Sequence, residues 1–311
     1  MTIEPTGYWT FFCNPAKWDV QSFLSTNIQY DTYLVTDWQK EWFYPGQMGV
    51  LRVGTDRRTK TQLAGRKRLI PGIYGIIEVL SKSAERGSEE DPYWLERPQS
   101  FEDRLIVKVR YVRNAIDHPL LLSTLGKDPS IEDKYLLHGF QSATMPLLPQ
   151  AFDRVISLFG GEENIFWNIE PEPIHTISEL EKLEKKYANA VPEVKEAISK
   201  NIERGSVSAK VKEYFEYRCL ICEQIGLNPI SFKKPDGKPY VEAHHVTPVT
   251  KLETGTLGPS NLITVCANHH AQLHYGNSEL IDLTDEEFRF RIDGKKIFVK
   301  RFNLKNHRYE T

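Results

Sequence analysis

The sequence predicts an α+β protein in three parts, from three observations. Short β-branched and aromatic runs, punctuated by Gly and Pro, fill residues 1–165. Glu, Lys, Ala and Leu dominate residues 166–205. Cysteines and histidines then crowd together at metal-knuckle spacing within residues 206–311. A length of 311 residues suits about two domains on a prior of roughly 150 residues each.

In the first part the strand candidates are Gly7–Phe12, Tyr33–Thr36, Gly49–Val53, Ile73–Leu80 and Leu105–Val112. Helical pieces are expected around Trp18–Ser25 and Gln150–Phe159. Strands this short, with such turn signals, suit a small barrel or curled sheet. In the connector, Ser178-x-x-Glu181 has the form of a capping box, and Ile177, Leu180, Leu183 and Tyr187 recur at helical spacing. Pro192 interrupts the pattern, so two helices are expected. The third part opens with a helix over Ser208–Tyr217 and closes in a hairpin. There Phe288, Phe290 and Ile292 alternate with Arg289 and Arg291 before the Asp293-Gly294 turn.

The formal net charge is −2, so overall charge does not point to nucleic acid. Its distribution says more. Arg57, Arg58, Lys60, Arg66, Lys67 and Arg68 fall within twelve residues that hold no acid. Such a run is either a solvated loop or a loop that contacts DNA backbone phosphates. No apolar run approaches the ~20 residues needed to span a bilayer. The first residues carry no basic segment followed by an apolar one, so a cytoplasmic location is expected. Of the four cysteines, all but Cys13 lie within about fifty residues, which in a reducing compartment favours metal binding over disulfides.

Cys219-x-x-Cys222 and Cys266-x-x-His269 form two knuckles supplying three thiolates and an imidazole, a closed tetrahedral set suited to structural Zn²⁺. On a helix through residues 268–274, His270 and His274 share one face, while His269 points about 100° away toward the zinc. His244 and His245 come from an extended segment. Strand, loop with Asn261 and helix then make a ββα arrangement around a second metal.

From about Arg218 to Gly276 these motifs (EAHHV, then C-ANHH-x3-H) resemble the HNH, or ββα-metal, nucleases, including the nuclease colicins. The resemblance implies a catalytic divalent ion, Mg²⁺ with Mn²⁺ or Ni²⁺ as substitutes, held by His244, His270 and His274. It implies His245 as general base and Asn261 as a brace for the histidine loop. Imidazole has the pKa for taking a proton from water near neutrality, and the cation stabilises phosphate charge. Glu242 either braces this site or faces solvent.

In the first part, GYWTFFCNPAKW, Pro45–Leu51 and Tyr74–Val79 resemble the EVE domain, a PUA-like pseudo-barrel that binds modified bases. Gln47-Met48-Gly49 stands where that family often has Gly-Asp. A flipped base needs stacking faces and partners for its Watson–Crick edge. Trp38, Trp42, Asn14 and Asp56 are the pocket candidates, the alternative being that the tryptophans, with Trp18, fill the core. An EVE-like reader joined to an HNH nuclease resembles modification-dependent restriction endonucleases. That implies double-stranded DNA bearing 5-methylcytosine or 5-hydroxymethylcytosine as partner, and a homodimer or successive nicks for a double-strand break. The rival readings are an HNH nuclease reading another mark, such as N6-methyladenine, and a non-catalytic modified-DNA-binding protein.

Overall fold

Strands β1 (Tyr8–Cys13), β2 (Tyr30–Leu34), β3 (Met48–Val53) and β4 (Gly72–Val79) form where aromatic and β-branched residues concentrate. β3 and β4 are buried at every position, which marks them as central strands covered on both faces. A computed structural model describes residues 3–85, 91–97, 104–161, 177–247 and 256–302. Contacts divide the chain into two units, Met1–Ile169 with Asn189–Val194, and Glu170–Ala188 with Lys195–Thr311.

The first unit is one curled sheet of order β2-β6-β4-β3-β1-β8. Here β6 is Leu105–Asn114 and β8 is Thr144–Pro146, while the short β5 (Ala84–Glu85) and β7 (Leu120–Leu121) flank β6 and β4. β1 runs parallel to β3 and the other pairings are antiparallel. In the parallel pair Trp9 lies opposite Gly49. A Cβ on Gly49 would sit 2.5 Å from the Trp9 carbonyl oxygen and 2.6 Å from the Phe11 ring, so only Gly allows this approach. The preceding Gln47 is a hub of the turn. Its amide oxygen accepts from Trp9 Nε1 (3.0 Å) and Tyr44 N (3.1 Å), and its amide nitrogen donates to Trp42 O (3.0 Å). Glu78 and Arg110, partners across β4 and β6, form a 2.6 Å ion pair at a carboxylate with almost no exposure.

Among the described residues four helices pack around this sheet: α1 (Val20–Ser25), α3 (Leu122–Leu125), α4 (Lys134–His138) and the ten-residue α5 (Pro149–Leu158); α2 (Lys60–Leu63) is a single capped turn. The core between them centres on Trp9, Phe11, Phe23, Leu51 and Val107.

In the connector, α6 (Ile177–Lys186) and α7 (Pro192–Arg204) are separate helices, with Pro192 the first residue of the second. Proline fits there because the first helical N–H needs no partner. The expected capping box involves Glu181, whose side chain lies outside the described residues.

The second unit continues with α8 (Ser206–Tyr214) and α9 (Leu220–Gln224). Next come the antiparallel pair β9 (Glu242–His245) and β10 (Leu262–Val265), and then α10 (Ala267–Tyr275). A three-stranded sheet, β11 (Ser278–Leu283), β12 (Glu287–Ile292) and β13 (Lys295–Lys300), ends it. The hairpin turn has Asp293 at φ 47° and Gly294 at φ 79°, as a tight two-residue turn demands. Phe288, Phe290 and Ile292 are buried, whereas Arg289 pairs with Asp282 and Glu287, and Arg291 with Glu279. No helix among the described residues is long and apolar enough to cross a membrane.

Candidate functional site

The strongest concentration of chemistry is in the second unit. Cys219 caps α9, its Sγ accepting from Cys222 N at 3.4 Å, and Cys266 precedes α10. These two helix starts bring the knuckles together. His269 Nδ1 lies 3.3 Å from Cys219 Sγ, 3.3 Å from Cys222 Sγ and 3.4 Å from Cys266 Sγ, and the last two sulfurs are 3.9 Å apart. A tetrahedron with about 2.3 Å metal–sulfur and about 2.0 Å metal–nitrogen bonds has edges of about 3.5–3.8 Å. The four side chains therefore fit one tetrahedral ion. Burial pushes the Cys219 and Cys222 thiols above their usual range, so metal binding there would release protons.

A separate cluster forms between β9 and α10. The His244, His270 and His274 rings lie 4.7–5.2 Å apart, and the facing Nε2 atoms of His270 and His274 are 3.3 Å apart. One ligand atom from each residue can be chosen so that all lie within 4.8 Å. His270 Nδ1 donates to Glu242 Oε2, and Tyr240 Oη donates to the other oxygen of that carboxylate at 2.5 Å. Glu242 thus braces the cluster and leaves His270 Nε2 for an ion, an arrangement common behind metal-binding histidines. Burial, with His274 and His270 next to it, lowers the His244 pKa to about 3, which keeps that imidazole neutral and able to ligate.

His245 turns the other way, because neighbouring strand residues project to opposite faces. Its Nδ1 meets Glu203 Oε1 at 2.8 Å and Ser199 Oγ at 2.8 Å, and the same carboxylate oxygen accepts from the His245 backbone N at 3.1 Å. Ser199 and Glu203 are one turn apart on α7, hence on one face. A carboxylate at Nδ1 selects the Nδ1–H tautomer and leaves the Nε2 lone pair open. That Nε2 is buried without a hydrogen-bond partner. Burial pushes the Glu203 carboxyl up, but hydrogen bonds and charge from His245 bring it below the usual carboxylate range. No spacing rule joins Glu203 to His245 across 42 positions, and the sequence reading did not include it. Asn261 grips the chain after His245. It accepts from Thr247 N (2.9 Å) and donates to Thr247 O (3.0 Å) and Thr256 O (2.7 Å). His244, His245, His270 and His274 all line one cleft of about 1080 Å³, with Lys200, Arg204 and Lys212 on its walls.

The first unit holds two adjoining cavities. A slot of about 280 Å³ is lined by Asn14, Trp18, Asp31, Tyr33, Asp91 and Trp94, among others. Asp91 accepts from Trp18 Nε1 at 3.0 Å. An open basin of about 1260 Å³ shares Asn14 and Lys17 with it. Of the residues expected to form a base pocket, the structure brings only Asn14 to these cavities. Trp38, 47% exposed, packs edge-on against Trp42 at 5.0 Å. Trp42 in turn tilts against Trp9 at 6.4 Å, packed on the core.

Asp56 is a correction to the expected pocket, because its carboxylate is committed to a buried clamp. It takes Arg58 Nε (3.0 and 3.1 Å) and Nη2 (2.6 Å), together with Leu69 N (2.9 Å). Arg58 is corrected with it. Expected at the DNA backbone, it is fully buried and also pairs with Asp19 at 3.1 Å. Arg66 bonds Asp19 as well (2.8 Å), and Arg68 donates to the Asp56 carbonyl (2.9 Å). Arg57, Lys60, Lys67 and Arg68 are exposed, and Arg57 lines the basin.

Residues 64–158 match the family model for the EVE domain. The type IV methyl-directed restriction enzyme EcoKMcrA of Escherichia coli K12 is 40% identical over 65 residues, 20% of this chain and 22% of that protein. The matched stretch is thus about a fifth of that relative's length. Among solved structures, human THYN1 in complex with 5-methylcytosine-containing DNA is 14% identical, covering 49% of this chain and 97% of that one with a TM-score of 0.33. Protein PSPTO5229 of Pseudomonas syringae is 14% identical, covering 49% and 98% with a TM-score of 0.34. The chain carries an EVE domain in its N-terminal region.

Proposed function

We propose that the protein is a modification-dependent DNA endonuclease, its EVE-bearing unit reading a modified cytosine and its second unit hydrolysing the phosphodiester as an HNH nuclease. One observation carries the nuclease reading: a carboxylate-held imidazole, His245, whose Nε2 has no hydrogen-bond partner, lines the same cleft as three histidines clustered like metal ligands. A DNA-binding platform with no reaction to perform has no need of that separation. The relative named as a methyl-directed restriction enzyme favours the same reading.

Cys219, Cys222, Cys266 and His269 would hold a structural Zn²⁺, and His244, His270 and His274 a divalent ion, Mg²⁺ or its substitutes Mn²⁺ and Ni²⁺. When bound, that second ion supplies positive charge to the scissile phosphate and the leaving oxygen. His245 takes the proton from the attacking water at Nε2, while Glu203 and Ser199 hold its ring and tautomer. Asn261 fixes the backbone that follows it. The products carry 5′-phosphate ends, and cutting both strands takes two protomers or two successive nicks.

For reading, the slot offers the rings of Trp18, Tyr33 and Trp94 and the carboxylates of Asp31 and Asp91. Carboxylates accept from an exocyclic amine such as cytosine N4, which an extruded base would present. At about 280 Å³ the slot is near the lower end of ligand cavities and has room for an extruded base.

The test is incubation of plasmids bearing 5-methylcytosine, 5-hydroxymethylcytosine, N6-methyladenine or no mark, with Mg²⁺ or with EDTA. Cleavage of cytosine-modified plasmid alone, abolished by EDTA, is expected. Equal cleavage of all plasmids refutes the reader, and binding without cleavage under every divalent ion refutes the nuclease.

A further inference from the structure

We propose that the open basin in the first unit is a phosphate site, holding the DNA backbone on either side of the nucleotide whose base enters the slot; this rests on the reading of that unit as a DNA reader. Lys17, Arg52, Arg57, Arg104 and His138 line the basin, and no Asp or Glu does so among the described residues. In a chain with 42 acidic and 40 basic residues, so one-sided a lining calls for an explanation.

The surroundings sharpen the contrast. Arg58 and Arg66, from the same basic run, are turned inward onto Asp19 and Asp56. The fold neutralises the guanidiniums it turns inward there. Arg57, next in sequence to Arg58, and Lys17 and Arg104 remain exposed at the basin, with no ion pair among the described residues. Arg52 is part of the basin wall. Its Nε and Nη2 donate to the carbonyls of Leu136 (2.5 Å) and Leu137 (3.1 Å), which fixes the chain leading to His138. An open cationic basin with a hydroxyl and an amide donor (Thr55, Gln141) has the chemistry of a phosphate cradle.

Continuity with the slot identifies the occupant. The basin and the slot share Phe12, Cys13, Asn14, Lys17, Leu34, Ser142 and Ala143. With a base held between the rings of the slot, its sugar and flanking phosphates would lie toward the adjoining space, which is the basin. Base contacts specify and phosphate contacts position. The basin therefore contributes affinity for any DNA, and the slot contributes the preference.

The test is salt-dependent binding of a labelled duplex, with and without 5-methylcytosine, to the full-length protein in EDTA. Each phosphate contact adds about 0.9 to the slope of log affinity against log salt. Lys17→Ala/Arg57→Ala/Arg104→Ala is expected to lower the slope by roughly two to three for both duplexes and to keep the ratio between them. The exposed pair Lys40→Ala/Lys127→Ala, outside both cavities and outside the basic run, is the control and leaves the slope in place. Arg57→Gln alone is expected to lower it by about one. An unchanged slope in the triple variant, with its melting temperature intact, overturns the basin while the reader stands. A loss confined to the control pair overturns it as well. Should the wild-type protein bind neither duplex, the DNA-reader assignment falls and the basin falls with it.

Discussion

Arg58→Leu is expected to destabilise the first unit, although a basic run reads as surface. The Arg58 side chain is fully buried and donates to both Asp56 oxygens, to Asp19 Oδ1 and to Gln21 Oε1. Removing it leaves buried carboxylate charge without its main counter-ion, at a cost of about 3–5 kcal/mol. For a unit of this size each kcal/mol moves the melting temperature by about 2–4 °C, so a fall of roughly 6–20 °C is expected at pH 7. Differential scanning calorimetry on the full chain measures it.

The same ion cluster gives the pH dependence a definite sign. Burial pushes the Asp56 carboxyl up, and hydrogen bonds from Arg58, Leu69 and the Arg58 backbone more than offset this, so its net pKa is lowered. The Asp19 pKa is lowered too, burial being offset by bonds from Arg66 and Ser22. A depressed carboxylate stabilises the fold above its unfolded value near 3.9, and that contribution is lost as pH falls through the folded value. In Arg58→Leu the burial remains without its main counterweight, so the Asp56 pKa rises. The deficit relative to wild type should be largest at neutral pH and shrink on approaching pH 4. Arg58→Leu/Asp56→Asn should recover part of it. A fall of less than about 2 °C at pH 7, or a deficit that grows in acid, refutes the argument.

His245→Ala should abolish cutting while leaving binding of modified DNA intact; joint loss of both would show that the residue's role is structural. Glu203→Gln should lower the turnover rate by about 10²–10⁴-fold at unchanged DNA affinity, because the amide no longer enforces the tautomer. Retention of more than a tenth of wild-type turnover sinks that role for Glu203. Cys222→Ser should release tightly bound zinc, measured by atomic emission, and lower the melting of the second unit selectively; full zinc content in the variant would refute the four-ligand site.

Much of the sheet was legible because its strands are buried, β-branched and bounded by turn residues. Pairing was less so. β1 lies parallel to β3, thirty-five residues downstream, with Trp9 over Gly49, and no local pattern encodes that. β11 went unread because Leu280, Ile281 and Leu283 are not buried, and its place depends on Arg289 and Arg291 reaching Asp282 and Glu279 across the ladder. The convergence of Cys219, Cys222, Cys266 and His269 was readable since two intervening residues bring two side chains to one helix start. The slot in the first unit was not, since Asn14, Asp31, Asp91 and Trp94 meet only through the tertiary fold. Of the two tryptophans expected at a base pocket, Trp42 packs beside Trp9 at the core, the alternative the sequence left open.

One device recurs in the histidine-lined cleft with two results. Glu242 holds the Nδ1 of His270 and Glu203 holds the Nδ1 of His245, so both rings are fixed as the tautomer with Nε2 open. Their surroundings then differ. His270 Nε2 faces His274 Nε2 at 3.3 Å, where two lone pairs repel unless a proton or a cation lies between them. His245 Nε2 has no such neighbour and can accept a proton. On the proposed reading, identical carboxylate–imidazole pairs become a metal ligand in one case and a base in the other. The neighbouring histidine, and not the carboxylate, makes the difference. Exchanging His274 for Ala should therefore weaken divalent-ion affinity while leaving the Glu203–His245 pair untouched.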